Sequence, residues 1–451
     1  AYGFRDQLQD SMSILYSDPK YSKFIILNCA SHQFETGDVL HWWHEDLNLG
    51  SRTRFSDDYL WLVYVTLEYI KITGDYSILY EEVPFIKGPE LSPTEGEKGI
   101  SYYKLERTSP LYNHLKLSID RSFSLIGKHG IPLMGVGDWN DGMNRVGHKG
   151  KGESVWVGMF LYDITNKFES IMKYMKEPLK NIAKYKKENE KLLNSINTNC
   201  WDGNWFLRAF NDEGYAIGSK NNHEGEIDLL VQSWSILTNV ADISKQKQVI
   251  QEVEARLVDK KSGIIKLLTP PFTCGEKNPG YISYYLKGIR ENGGQYTHAA
   301  LWYIKSLIKY GEKDRAYEYF SMINPMNREI DKYKVEPYVI AADIYSNTSH
   351  KGRGGWTWYT GSAGWAYKIA IEDILGMKKE GKLLDFEPKV PSNWNSFSIK
   401  YKYESTLYII NITIKDKAKK TISLDGLKVK ELELIDDKIE HNVDILIGRE
   451  K

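Results

Sequence analysis

The sequence predicts a mainly helical domain followed by a small antiparallel β domain. From the first residue to about residue 380, apolar side chains recur every three or four positions, as on one face of an α-helix. After about Lys382 the period changes to two, which is typical of strands that bury one face. We therefore expect a helical domain over residues 1–381 and a β-sandwich-like domain over residues 382–451.

Nine stretches of the first domain carry the clearest helical pattern, and their succession suggests helical hairpins. They are residues 60–73, 112–128, 156–174, 179–196, 229–240, 249–258, 298–310, 313–323 and 363–375. Long segments rich in Gly, Asp and Asn separate several of them, at 39–57, 84–109, 135–153, 270–294 and 347–360. Loops of this length usually carry function, so we expect the functional side chains there.

A period of two marks two strands, at 397–403 and 407–414. Shorter candidates lie at 421–424, 429–435 and 443–447, with Asp425-Gly426 and Asp436-Asp437 as turns between them. This pattern predicts the small antiparallel domain that closes the chain.

Composition excludes several classes of partner. The 60 Lys and Arg residues balance 60 Asp and Glu residues, so we expect no nucleic acid partner. Three widely spaced cysteines form no zinc or disulfide pattern, and no apolar stretch is long enough for membrane insertion. We expect a cytoplasmic protein. The 31 Tyr and 13 Trp against 14 Phe favour carbohydrate, whose C–H faces stack on rings while its hydroxyls bind their polar ends.

The most informative loop reads GVGDWNDGMN, at residues 135–144. Cleavage of a glycosidic bond needs a carboxyl group that protonates the leaving oxygen, and a neighbouring ring raises its pKa. Asp138 or Asp141, beside Trp139, suits this role. The alternative is an Asx-rich turn whose two acids cap backbone N–H groups.

Two glycine-rich segments lead into predicted helices, ENGGQYTH at 291–298 and KGRGGWTWYTGSAGW at 351–365. Free N–H groups at helix starts can bind an anion such as phosphate. The alternative is that the glycines serve tight turns and the Trp side chains pack inside. Neither segment is a P-loop or a dinucleotide fingerprint, so nucleotide binding is not expected.

The N-terminal segment RDQLQD places Arg5 with Gln9, and Asp6 with Asp10, one helical turn apart. Such a set can hold sugar hydroxyls, or it can be ordinary surface pairing. A metal site is not expected at HWWH (41–44), because no third ligand lies nearby.

Taken in order, YGFRDQLQD, HWWH with RTRFSDDYLWL, GDWNDGMN, GIRENGGQYTHAALW and GRGGWTWYTGSAGW resemble glycoside hydrolase family 94. The resemblance covers about residues 1–375 and continues into the β domain. It implies an (α/α)₆ barrel, a six-hairpin toroid with its active site at the mouth. It also implies reversible inverting phosphorolysis of β-1,2-linked gluco-oligosaccharides to α-glucose 1-phosphate, by this chain alone or as the chain-trimming module of a cyclic glucan synthase. Inorganic phosphate is the co-substrate, and no cofactor is implied.

The resemblance also implies roles for individual residues. Asp141 falls on the acid of the family, and Trp139 lines the sugar subsite that loses its bond. Arg5 and Asp10 match the segment that holds the hydroxyls of that sugar, with Asp6 as the other candidate for this contact. The phosphate ligands match three residues, namely His298, Thr360 and Gly361.

Members of this family begin with a β-sandwich and a helical linker, whereas this sequence opens almost at once with RDQLQD. We therefore expect the missing part to be absent or supplied by another chain, and a homodimer is a further expectation. Two other functions stay open. One is an inverting β-glucan hydrolase in which Glu291 or Asp58 activates water. The other is a catalytically silent glucan-binding fragment.

Overall fold

Helices alternate with short strands in the computed structural model, which describes residues 1–275, 278–358 and 361–449. The α-helices of these residues are α1 Phe4–Ser11, α2 Pro19–Ala30, α3 Asp58–Thr73, α4 Leu111–Ser124, α5 Val155–Tyr174, α6 Leu179–Asn199, α7 Leu229–Leu237, α8 Ile243–Arg256, α9 Thr297–Tyr310, α10 Lys313–Ile323, α11 Ile330–Tyr333 and α12 Ser362–Lys368. A π-helix over Ile369–Ile374 continues α12.

Six helices form a closed ring. In the order α1, α3, α5, α7, α9 and α12, each packs against the next, and α12 packs against α1. Helices α2, α4, α6, α8 and α10 each pack against the ring helix next to them in the chain. The chain thus travels along a ring helix in one direction and returns outside it, so that the ring helices all begin at the same end.

Aromatic side chains fill the inside of the ring. Trp61, Trp156, Trp234 and Trp302, from four successive ring helices, are almost fully buried. The ring centroids of Trp61 and Trp302 lie 6.4 Å apart, and those of Trp234 and Trp302 lie 5.2 Å apart. Because each such side chain buries a large apolar area, this cluster holds the ring helices together. The centre of the ring is therefore a packed floor.

The ends of the helices follow local capping chemistry. Helix α5 begins where the Ser154 hydroxyl accepts a hydrogen bond from the Val157 N–H, and α7 begins where the Asp228 carboxylate accepts one from Leu230. Helix α3 ends at Gly74, whose φ of 72° is a left-handed conformation that glycine adopts without strain. All nine predicted helices are present, with ends that differ by up to seven residues; the largest difference is at the end of α12, where the π-helix follows.

Helix α2 was not predicted. Its apolar residues come in the continuous run FIIL, which lacks a clear 3.6-residue period. The structure makes it a helix because Asp18 caps its start, with a bond from the Tyr21 N–H, and Pro19 occupies its first position.

The strands of the described residues are mostly short. They are β1 Tyr2–Gly3, β2 Leu40–His44, β3 Leu49–Thr53, β4 Glu82–Lys87, β5 Glu97–Ser101, β6 Tyr103–Pro110, β7 Glu153–Ser154, β8 Ala209–Phe210, β9 Ala216–Ile217, β10 Ile227–Asp228, β11 Val258–Asp259, β12 Ile264–Ile265, β13 Leu268–Thr269, β14 Gln295–Tyr296, β15 Asp343–Ile344, β16 Met377–Glu380, β17 Leu383–Phe386, β18 Ser396–Tyr403, β19 Thr406–Asp416, β20 Thr421–Leu424, β21 Leu427–Val429, β22 Leu432–Glu433 and β23 His441–Arg449.

The C-terminal strands form two sheets, one of three strands (β16, β17, β22) and one of five in the order β18, β19, β23, β20, β21. The prediction of a wholly antiparallel domain is wrong at one pairing, since β19 and β23 run parallel. The β20–β21 hairpin and β22 lie between them in the chain, which lets β23 return in the direction of β19. The predicted boundary at residue 381 falls within the antiparallel pair β16 and β17.

In the part of the chain that the structure describes, no helix combines the length and the apolar character needed to cross a membrane.

Candidate active site

The sequence-predicted site residues gather at the end of the ring where its helices begin. Arg5 and Asp6 lie in the first turn of α1, Asp58 begins α3, and His298 is the second residue of α9. The unpaired N–H groups of a helix start carry a partial positive charge. Several such starts around one opening make this end of the ring suited to an anion.

The loop over residues 135–144 is shaped by two glycines that pack against the segment before α3. Gly137 has a φ of 148°, and a Cβ there would lie 2.4 Å from the Phe55 ring. A Cβ at Gly135 would lie 1.9 Å from the backbone oxygen of Arg54. Because no other residue fits these positions, the glycines let the loop dock closely enough to bring its acids to the ring.

The Asp138 carboxylate is fully hydrogen-bonded inside the protein, which excludes it as the proton donor. Its carboxylate accepts bonds from Arg208 Nη1 at 2.7 Å and Nη2 at 2.6 Å, and from the Ser154 hydroxyl at 2.6 Å. Burial alone would raise the pKa of Asp138, but Arg208 and the other donors outweigh it and hold that pKa below its usual value. A fully buried, ionised carboxylate cannot deliver a proton to a sugar. Of the two acids left open by the loop, only Asp141 is available.

The Asp141 carboxylate is accessible to solvent. Its side chain is 35% exposed, and Arg5 Nη2 donates to its Oδ1 atom. The same Arg5 donates through Nη1 to both carboxylate oxygens of Asp57, at 3.0 and 3.1 Å, and to the Asp138 backbone oxygen at 2.8 Å. Through these hydrogen bonds the buried Arg5 connects α1, the start of α3 and the loop at residues 135–144.

His298 presents a buried donor. The Trp139 indole Nε1 donates to His298 Nδ1 at 3.4 Å, which leaves the proton of a neutral ring on Nε2. His298 Nε2 is buried without a hydrogen-bond partner among the described residues. Burial, and secondarily the charge of Arg5, lower the pKa of His298 to about 3. The His298 ring is thus a neutral N–H donor in this surrounding.

Asp6 and Asp10 lie on the open side of α1, both exposed to solvent. Enclosure by the surrounding protein raises the pKa of Asp6, and nearby Asp141 adds to this while Arg5 opposes it. Enclosure and the charge of Asp6 raise the pKa of Asp10 to about 6. Both side chains are exposed to solvent and are therefore accessible to a ligand.

Gly361 caps the start of α12 next to Asp10. A Cβ at Gly361 would lie 3.5 Å from Asp10 Oδ1 and 3.6 Å from Trp365 Cδ1. Trp365 in turn lies 6.0 Å from the His298 ring. Gly361 and His298 therefore both lie next to Trp365. The third predicted phosphate ligand, Thr360, lies outside the described residues.

The two glycine clusters contain mainly turns. Gly294 packs against the Arg290 backbone, where a Cβ would lie 2.7 Å from its oxygen, and Gly355 packs against the Asp343 carboxylate. Asn292 donates to the backbone oxygens of Phe272 and Tyr285. The glycines at these positions therefore serve tight turns, which was the alternative to anion binding. These turns place His298 at the start of a helix.

The two carboxylates considered as water-activating bases differ in their surroundings. Asp58 is buried, with Oδ2 bonded to His41 Nδ1 at 2.8 Å and Oδ1 at 3.9 Å from Arg5 Nε. Glu291 is also buried and pairs with Arg290 Nε at 3.2 Å. Burial raises the pKa of Glu291, and the charge of Asp141 adds to the effect. Glu291 therefore lies within electrostatic range of Asp141.

Sequence reasoning missed Arg208 and Asp57, which hold the site together. Arg208 is 1% exposed and directly precedes β8, outside any motif, and Asp57 was quoted only as part of a motif. The excess of acids over bases in the predicted site is a signal that could have pointed to Arg208, because it requires buried cations nearby; no sequence signal singles out Asp57. The described residues contain no group of three or more His, Cys, Asp or Glu side chains placed to hold a metal ion.

Comparison with known proteins identifies the family of this chain. Residues 1–376 match the family model described as "Glycosyl hydrolase 94 superfamily, catalytic domain". The chain therefore belongs to the glycosyl hydrolase 94 superfamily, as the sequence motifs suggested.

Two curated relatives illustrate the range of the family. The chain is 40% identical to the cyclic beta-(1,2)-glucan synthase NdvB of Rhizobium meliloti over 93% of its own length and 15% of that protein. It is 28% identical to the solabiose phosphorylase of Paenibacillus borealis, over 98% of its own length and 56% of that protein. The chain thus spans only part of each relative.

Among solved structures, a GH63 mannosylglycerate hydrolase from Thermus thermophilus superposes with a TM-score of 0.52 at 11% identity. The match covers 81% of this chain and 91% of that one. At this identity the likeness concerns the fold alone. The chain shares a helix-rich architecture with a glycosidase.

Proposed function

We propose that this member of the glycosyl hydrolase 94 superfamily is an inverting glycoside phosphorylase that acts on β-1,2-linked gluco-oligosaccharides and inorganic phosphate. The observation that carries the proposal is the pairing of one accessible acid, Asp141, with a buried donor, His298 Nε2, that has no hydrogen-bond partner among the described residues. Trp139, from the loop that carries Asp141, donates to His298 and so connects the two groups. The 40% identity to a cyclic beta-(1,2)-glucan synthase supports the choice of linkage.

Asp141 protonates the leaving group, and phosphate acts as the nucleophile. Asp141 gives its proton to the glycosidic oxygen as the bond from that oxygen to C1 breaks. A phosphate oxygen attacks C1 from the opposite face and forms the new bond, so a β-glucoside yields α-glucose 1-phosphate and a shortened chain. Phosphate is already an anionic nucleophile, which is why a second carboxylate is not required.

The residues proposed to bind phosphate are His298, Gly361 and Thr360. His298 Nε2 supplies a donor that is desolvated in advance, and the start of α12 supplies backbone N–H groups. The bound dianion itself favours protonation of His298, which opposes the burial that lowers the pKa of this ring.

The sugar that loses its bond is held by Arg5, Asp6, Asp10 and Trp139. Arg5 Nη2 donates to Asp141 Oδ1, which places a guanidinium donor beside the acid and within reach of the hydroxyls of a bound sugar.

We further propose that the helical ring is an (α/α)₆ barrel with its active site at the mouth, ending near residue 381. The cyclic packing order of α1, α3, α5, α7, α9 and α12 supports this arrangement. An experimentally determined structure with six inner and six outer helices around one mouth would bear it out.

The decisive assay mixes the protein with β-1,2-gluco-oligosaccharides, with and without inorganic phosphate. We expect α-glucose 1-phosphate only when phosphate is present. Asp141→Asn should abolish its formation while oligosaccharide still binds, and the exposed Asp46→Asn serves as the matched control. Free glucose released at an equal rate without phosphate would refute the proposal.

One observation favours a second candidate, an inverting β-glucan hydrolase. The buried Glu291 lies within electrostatic range of Asp141, as a water-activating base would. In that case Glu291→Gln would remove activity and phosphate would have no effect. Under phosphorolysis, the same variant retains a phosphate-dependent reaction.

A further inference from the structure

A cavity lies at the end of the helical ring opposite Asp141. Its lining includes Glu68 in the later half of α3, Leu237 at the end of α7 and Lys309 near the end of α9. Because the ring helices all begin at the Asp141 end, these positions belong to the other end. We call this space the far cavity. Its volume is about 420 Å³, within the range of about 300–1,000 Å³ that is usual for small-molecule sites.

The charged side chains around the far cavity do not balance. Seven lysines and five acids line it. Three of the lysines hold four of the acids, namely Lys167 with Asp163 at 2.6 Å, Lys305 with Asp373 at 2.5 Å, and Lys368 with Glu68 at 2.9 Å and Glu372 at 2.5 Å. Four lysines then remain against one acid, Glu387. The far cavity therefore carries an excess of positive charge.

Two of the remaining lysines have no partner of their own. Lys71, in the last turn of α3, and Lys378, on β16, have no ion pair or side-chain hydrogen bond among the described residues. Helix ends usually attract lysines, because their last carbonyl groups carry partial negative charge. Here other lysines meet that need, since Lys379 and Lys309 donate to last-turn carbonyl groups of α3 and α7, each at 2.6 Å. Lys71 and Lys378 therefore remain available to an anion.

Aromatic side chains from the packed floor of the ring form another wall of the far cavity. Tyr64, Trp234, Trp302 and Trp365 line it, and each is at most 7% exposed. The Nε1 atoms of Trp234 and Trp302 are buried and have no hydrogen-bond partner among the described residues. A buried donor without an acceptor is unfavourable, so this wall favours a ligand that brings oxygen atoms as well as an apolar face.

We propose that the far cavity is a further ligand site, which binds a small sugar phosphate. The two lysines without partners, Lys71 and Lys378, match the charge of about −1.5 to −2 that a phosphate monoester carries at neutral pH. The aromatic wall suits the C–H face of a sugar ring, and the indole N–H groups suit its hydroxyls. This site lies at the opposite end of the ring from Asp141, so it is separate from the proposed function and does not depend on it.

Glucose 6-phosphate is the probe, because its phosphate group is not at the position where the proposed reaction forms a bond. Titration calorimetry on the whole chain should show one bound glucose 6-phosphate and no binding of glucose at the same concentrations. Lys71→Ala and Lys378→Ala should each weaken this binding about tenfold, since each removes a hydrogen bond to a charged group. The exposed Lys187→Ala on α6 is the matched control and should leave the affinity unchanged.

His298→Phe distinguishes the two ends of the ring. It removes the donor proposed to bind phosphate near Asp141, so glucose 6-phosphate should still bind this variant with unchanged affinity. Absence of binding to the unchanged protein, or equal affinities in the unchanged protein and in both lysine variants, would overturn the far cavity as a site. Loss of binding in His298→Phe alone would do the same. Phosphorolysis is measured separately with oligosaccharide, so either function can fail without the other.

Discussion

The pair of Arg208 with Asp138 offers the sharpest test of how the site is built. Replacing Arg208 by Met keeps a long apolar stem but removes both bonds to the Asp138 carboxylate, at 2.7 and 2.6 Å. It also removes the contact of Arg208 Nε with Asp228 Oδ2 at 3.3 Å. Asp138 is then a buried carboxylate without its cation, in the loop that carries Trp139 and Asp141.

Removal of one partner from a buried ion pair costs about 3–5 kcal/mol, because the remaining charge stays desolvated. The side chains of Arg208 and Asp138 are 1% and 0% exposed, so solvent screening does not reduce this value. Proteins are stable by only about 5–15 kcal/mol. We therefore expect Arg208→Met to lose about 3–5 kcal/mol of unfolding free energy, a large part of the total.

The loss should depend on pH with a defined sign. In the unchanged protein the pKa of Asp138 is lowered, so its contribution to stability is present at neutral pH and lost as the pH falls below its unfolded value. In Arg208→Met, burial raises that pKa, and protonation relieves the unpaired charge. The difference in stability between the two proteins should therefore shrink from pH 8 to pH 5.

Urea unfolding followed by tryptophan fluorescence measures both quantities, and kcat on the folded protein reports the loop. The double variant Asp138→Asn/Arg208→Met removes both charges and should recover part of the stability. If Arg208→Met lowers the unfolding free energy by less than about 1 kcal/mol, or by the same amount at both pH values, Arg208 and Asp138 do not form a stabilising buried ion pair.

Three further outcomes follow from the structure. His298→Phe keeps a ring but removes the Nε2 donor, so we expect the KM for phosphate to rise about tenfold or more in steady-state assays while the KM for oligosaccharide stays unchanged. The raised pKa of Asp10, about 6, means that the folded protein loses stability as the pH rises from about 4 to 6, so Asp10→Asn should lose less stability between these values in urea unfolding. Lys368 is 3% exposed and pairs with Glu68 and Glu372 in the later halves of the ring helices, so Lys368→Met should lose about 3–5 kcal/mol in thermal or urea unfolding. Because it lies away from Asp141, kcat of the folded protein should be unchanged, and a selective loss of kcat without loss of stability would contradict this assignment.

The helices and the family are properties that the sequence already determined. Apolar spacing and capping residues are local, so segments such as 313–323 were predicted to the residue. The motifs around Asp141 and His298 are also contiguous, and each contains the turn residues that its backbone conformation requires. Local chemistry of this kind can be read without knowledge of the fold.

The roles of the two acids in GDWND were decided only by tertiary structure. The motif alone does not distinguish Asp138 from Asp141. Only the pairing with Arg208, 70 residues along the chain, makes Asp138 a buried, ion-paired carboxylate. The parallel pairing of β19 with β23 and the contact of Arg5 with Asp57 are likewise long-range. Burial and charge pairing depend on which segments meet in space, and a side chain's pKa and access to ligand follow from that meeting.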